Sequence, residues 1–141
     1  MTDYDFVIPQ GLLILGGDTR ARLLVEQERL QAYFPQFTLT RKAGSGKIRA
    51  RGVLTTNAGR RYPVKIKLPE RYPHVIPKVF PVDWDSRSPH SYVDGHLCLM
   101  RDDQWRSYFS IAVAVAKSAL WLNKFDVWKR EGYWPGNEQE H

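Results

Sequence analysis

A thiol is the side chain best suited to hold an acyl group covalently and pass it on, because a thiolate is intrinsically nucleophilic and a few per cent of a free thiol is ionised at neutral pH. The 141-residue chain has one cysteine, Cys98, in the run Asp94, Gly95, His96, Leu97, Cys98, Leu99, Met100. It follows a glycine-containing turn instead of lying inside a regular element, and loops carry chemistry more often than cores do. The plainer alternative is an inert thiol buried among its apolar neighbours. His96, two residues away, is close enough in sequence to tune the thiol, in a direction that spacing leaves open. His96 and Cys98 are also the only close pair of metal-binding types, with no second cysteine and no His-x3-His spacing, so neither a structural zinc site nor any other metal is expected. The run Gly44, Ser45, Gly46, Lys47 lacks the earlier glycine of a phosphate loop, since position 41 is Arg, and no Ser or Thr follows the lysine. It reads as a hairpin turn. No cofactor is implied.

These residues must be positioned by the elements around them. Asp18 is placed to cap a helix running to about Phe34, with Leu23, Leu24, Leu30, Tyr33 and Phe34 as its apolar face and Pro35 as its stop. From Phe37 the period changes to two. Phe37 to Arg41, Ile48 to Leu54, Tyr62 to Leu68 and Lys78 to Val82 read as four short strands, joined by glycine-containing turns into an antiparallel meander. Residues 83 to 109 lack periodicity, and irregular segments of that length are often functional. Ser110 then caps a helix to about Glu131 with Ile111, Val115, Ala119, Leu122 and Phe125 on one side, ended by Gly132 and Pro135. Helix, meander, loop and long helix make an α+β domain, expected to span residues 1–141 as one unit.

Composition narrows the class further. A chain of this length buries about two thirds of its surface and supports one core. Hydrophobic content of 43% with five tryptophans excludes general disorder. One cysteine cannot form an internal disulfide, which fits a reducing compartment. The longest apolar run, Leu12 to Leu15, is far too short to span a membrane, and the acidic start Met1 to Asp5 is unlike a signal peptide. The cytoplasm is the expected location. Of the net charge of +6, the stretch Arg41 to Arg71 alone holds ten basic residues against one acid, Glu70. Such a patch can bind a phosphate backbone or an acidic protein. However, Arg49, Arg51, Lys65 and Lys67 alternate with apolar residues, as the solvent side of strands does.

Several short motifs resemble one family. Tyr72, Pro73, Pro77, Lys78 and Val79 are similar to the Tyr-Pro-x-x-x-Pro-x-Val segment of ubiquitin-conjugating enzymes, and Gly95 to Leu99 to their Gly-x-Ile-Cys-Leu active-site segment. Gln104 and Trp105 follow, similar to the tryptophan that the family places after its cysteine. Where the family has His-Pro-Asn, with the Asn eight residues before the cysteine, this chain has Ser88, Pro89 and His90. The inferred order of elements agrees with that fold, over roughly residues 18 to 131. The replaced Asn, the shorter gap to Trp105 and the tail Trp128, Gly132, Trp134, Pro135, Gly136 most resemble the bacterial ubiquitin-conjugating-like proteins of anti-phage (CBASS) operons that also encode a cGAS-like nucleotidyltransferase.

The resemblance implies a cysteine-dependent acyltransferase. Cys98 would carry a protein C-terminus, that of the cGAS-like nucleotidyltransferase being the suspected one, as a thioester, and pass it to an amine on a protein or small molecule. It assigns His90 the place of the donor that steadies the carbonyl oxygen, although an imidazole can also act as a base. Asp102 and Asp103 are placed to guide or deprotonate an incoming lysine, or are simply a solvated pair. Trp105 and His96 are possible supports. No adenylate-forming segment is visible, so the donor is activated elsewhere, with a separate activating enzyme one possibility. The alternatives are a binding module of the same fold without catalysis, a nucleic-acid binder using the basic stretch, and a cysteine hydrolase using Cys98 and His90.

Overall fold

The structure is a computed structural model describing residues 8–15, 21–82 and 88–136. Its elements are helix α1 (Arg22–Tyr33), strands β1 (Thr38–Arg41), β2 (Ile48–Thr55), β3 (Arg61–Lys67) and β4 (Lys78–Pro81), and helix α2 (Ile111–Glu131). The strands form one antiparallel sheet in the order β1-β2-β3-β4, the expected meander. Register pairs Ala50 with Ile66 and Ile66 with Val79, all fully buried. The same register sets Arg49 opposite Lys67 and Arg51 opposite Lys65 on the other face, because successive side chains alternate across a strand. Ile111 to Val115, Leu122 and Phe125 of α2 share one core with the inner face of the sheet. Gly52 in the middle of β2 has a packing reason: a Cβ there would lie 2.6 Å from the ring of Phe37.

The helices depart from expectation at their starts. Asp18 and the Gly16-Gly17 pair lie outside the described residues, and α1 begins at Arg22 with Ala21 in the cap position. Its buried face is Val25, Glu26 and Leu30, while Leu24 and Tyr33 are about half exposed. Of the expected face, Leu30 is buried and Phe34 packs against the core, while hydrophobicity missed the centre of the face because a glutamate occupies it. The carboxylate of Glu26, fully buried, accepts the N–H of Ile111 at 2.8 Å and pairs with Arg22 at 3.0 Å and with the hydroxyl of Tyr72. Arg22 in turn donates to the carbonyls of Ser107 and Phe109, both at 2.7 Å.

Ser110 stands at the cap position of α2 as expected, yet its hydroxyl makes no capping bond. Glu26 takes that role across the chain, since an ionised acceptor at the positive end of a helix outcompetes a neutral hydroxyl. Glu26→Ala leaves the α2 amide without its acceptor and Arg22 without its ion-pair partner. It is expected to cost about 3 kcal/mol and to lower the thermal midpoint by about 10 °C, whereas Ser110→Ala shifts it by about 1 °C or less. Thermal unfolding followed by circular dichroism checks both; equal shifts would remove Glu26 from its capping role.

The far half of α2 is held by Asp126, which accepts from Tyr62 at 2.5 Å and from Thr56. Burial, then this carboxylate, pushes the Tyr62 hydroxyl up to about 12. Gly132 closes α2 with a left-handed backbone (φ +82°) and its N–H on the carbonyl of Trp128.

Candidate active site

The irregular segment before α2 contains a miniature hairpin. Ser91 bridges Leu97 in antiparallel fashion, the Tyr92 N–H donates to the carbonyl of His96, and Gly95, with φ +91°, allows the tight turn between them. The Leu97 N–H donates to the Val79 carbonyl at 2.9 Å, fixing this hairpin to β4. One position further along, the Cys98 N–H donates to the His90 carbonyl at 2.9 Å. Directly opposed residues of such a pair present their side chains to the same face. Accordingly, Cys98 and His90 line one cleft, with Leu99, Lys117, Trp121 and Lys124 of the adjoining structure and Trp134 of the tail.

His90 has a positive φ of 61°, a region that residues with a Cβ adopt at a cost of about 1 kcal/mol. Its carbonyl is fixed by two donors, the Cys98 amide and the Trp121 indole N–H at 3.1 Å. The tail supplies a third restraint: the Trp134 ring lies 4.8 Å from the imidazole and 5.1 Å from the Trp121 ring, centre to centre. The cleft is pinched to about 10 Å³, room for one water at most, and Cys98 is only 3% exposed. Lys117 and Lys124 put two cationic side chains on its wall, which favours negative charge developing on an oxygen or sulfur there.

On its other side the thiol meets Tyr92, with Sγ 3.8 Å from the phenolic oxygen. Burial, then the bond with Cys98, pushes the Tyr92 hydroxyl up to about 12, so it stays protonated at neutral pH. His96 stacks on Tyr92 at 4.1 Å, its Nδ1 donating to the Asp94 carboxylate. That hydrogen bond holds the Asp94 carboxyl below its ordinary range. Tyr92→Phe removes only a weak contact to sulfur and is expected to change the rate of Cys98 alkylation by less than about fivefold. Tyr92→Ala uncovers one side of the thiol and is expected to speed it more than about tenfold. Iodoacetamide labelling followed by intact mass reads both, and equal rates in the two variants would show that Tyr92 does not cover the thiol.

The other expected residues are dispersed. Asp102 and Asp103 are exposed on a short 3-10 turn (Asp102–Gln104), where Asp103 pairs with Arg101 at 3.1 Å. The charge of Asp102 contributes to the raised hydroxyl of Tyr92. Trp105 is turned into the core, packed on Tyr72 and Phe109, with its N–H on the Pro73 carbonyl at 2.8 Å; it is not part of the cleft wall. Sequence reasoning missed Tyr92, Trp121 and the two lysines. The spacing of Lys117, Trp121 and Lys124, one stripe on α2, was the available signal. Among the described residues no group of three or more His, Cys, Asp or Glu side chains could hold a metal ion. Nor is any described helix long and apolar enough to cross a membrane.

Residues 26–141 match the model of a family described as "Type II CBASS E2 protein". Among solved structures, the chain is similar to a Plasmodium vivax ubiquitin conjugating enzyme E2 at 23% identity, covering 71% of this chain and 99% of that one with a TM-score of 0.49. No curated protein matches.

Proposed function

Because this chain belongs to the type II CBASS E2 protein family and so has a ubiquitin-conjugating-like role in CBASS, we propose that Cys98 carries the C-terminus of another protein as a thioester and delivers it to an amine. The family resemblance points to a cGAS-like nucleotidyltransferase as the donor. The thiolate attacks the carbonyl carbon of a C-terminus already activated elsewhere, forming a C–S bond as the activating group leaves. An amine then attacks the same carbon, a C–N bond forms, the C–S bond breaks, and the amine proton passes to a base or to water. Such exchange needs alignment more than activation, and a hydrogen-bond donor aimed at the carbonyl oxygen supplies most of what the protein can add. His90 is the residue proposed for that donor.

The observation that supports this reading is the backbone pairing of Cys98 with His90, which turns a thiol and an imidazole into one cleft walled by Lys117 and Lys124. Arrival of a polypeptide terminus at Cys98 requires Trp134 or Tyr92 to move aside. The test supplies the protein with a donor polypeptide activated at its C-terminus. An adduct is expected at Cys98 that hydroxylamine or reductant cleaves; no adduct, or one on a lysine alone, overturns the proposal. The low exposure of Cys98 favours a second reading, a binding module without catalysis. Under it, native Cys98 stays unlabelled by small thiol reagents as well.

A further inference from the structure

The basic stretch has a use that the thiol chemistry leaves open. Arg49 opposite Lys67 and Arg51 opposite Lys65 are cross-strand pairs of like charge, an arrangement that destabilises a sheet. Beside them opens a concave groove of about 890 Å³, between the start of α1, the β1–β2 turn and the ends of β2 and β3. Lys42, Lys47, Arg49, Lys65 and Lys67 line it, with Glu70 the one acid among its lining residues. None of these five cations has an ion-pair partner among the described residues. The Arg49 Nε is buried there without a hydrogen-bond partner, a donor held ready for an acceptor. Partial burial, then Lys67, Arg51, Arg49 and Lys42, holds the Lys65 ammonium below its ordinary value, so this field is felt within the cluster itself.

A relay of side-chain contacts links the groove to the thiol. The Lys67 ammonium lies 5.0 Å over the ring of Phe80, Phe80 meets His96 edge to face at 5.9 Å, His96 stacks on Tyr92, and Tyr92 touches Cys98. Single-stranded nucleic acid would want open aromatic faces for its bases. The one aromatic in the groove, Tyr72, has Arg22 over its ring and packs on Trp105. A duplex would need an element projecting into its own groove, and this site is concave. We propose that the groove docks an acidic segment of the acyl-donor polypeptide, leading its C-terminal residue past Phe80, His96 and Tyr92 to Cys98. This assignment of the ligand as donor rests on the thioester reading above; the binding itself does not.

The test therefore uses the full chain carrying Cys98→Ala, in which no thioester can form. A fluorescent glutamate-rich peptide is titrated by anisotropy beside its glutamine counterpart and a single-stranded oligonucleotide of equal charge. The glutamate peptide is expected to bind at least about tenfold more tightly than the glutamine one, with strong salt dependence. Combined Arg49→Glu, Lys65→Glu and Lys67→Glu should weaken it at least about tenfold, while Arg130→Glu, at the end of α2 and outside the groove lining, keeps most of the binding. If the triple variant unfolds, Lys42→Glu with Lys47→Glu on the exposed turn carries the same expectation. Equal binding of the two peptides, no effect of charge reversal inside the groove, or tighter binding of the oligonucleotide overturns the proposal. Peptide binding without any adduct on unmodified protein would instead sink the thioester reading and leave the groove as an acidic-peptide site.

Discussion

With an activated donor supplied, Cys98→Ser is expected to yield an adduct that resists reductant and hydroxylamine under conditions that strip the adduct of the unsubstituted protein, and Cys98→Ala to yield none. An oxygen ester is the poorer acyl donor, because an alkoxide leaves less readily than a thiolate, so the serine variant traps the intermediate. The effect is all or nothing because the chain has no second cysteine to substitute for the first. Intact mass before and after hydroxylamine reads it directly. A Cys98→Ala protein that still releases conjugate would remove the thiol from the reaction.

The second large effect concerns His90. If its ring donates to the developing oxyanion, His90→Ala loses an interaction made only in the transition state, worth about 3 kcal/mol or roughly a hundredfold in the aminolysis step. Thioester loading, which is close to isoenergetic, should change far less. The backbone at this position has positive φ, where alanine is strained, so His90→Asn is the better control. Asparagine tolerates that conformation and brings an amide N–H, and it is expected to restore transfer to within about tenfold. Single-turnover discharge of the loaded protein to free lysine across a pH series separates the roles. An asparagine variant as slow as alanine would make His90 a base instead of a donor, since the amide can donate a hydrogen bond but cannot take up the proton of the amine.

What the residues announced and what they concealed divide along a physical line. The end of α2 was legible because Gly132 and Pro135 act through their own backbones, and the four strands because alternation is a local pattern. The burial of Glu26 was not, since its partners Ile111 and Tyr72 are distant in sequence, and hydrophobicity counts a glutamate as solvent-facing. For the same reason Ser110 looked like a cap by type and position yet was displaced by a stronger acceptor. Tyr92 escaped notice because its approach to Cys98 depends on the register of Ser91 against Leu97, which no composition reveals. Trp105, near the cysteine along the chain, is carried away from the cleft by the 3-10 turn between them. The basic stretch read correctly as the outer side of strands, but its concavity depends on α1 and the β1–β2 turn closing around it.

The segment after α2 folds Trp134 onto His90 within the same polypeptide. Anything seeking that space meets a tethered rival whose effective concentration, of millimolar order for a short connection, does not fall on dilution. Under the proposed thioester function, the donor's apparent affinity is the intrinsic one reduced by the indole's own preference for its seat, and Trp134→Ala is expected to tighten apparent binding without adding a single contact.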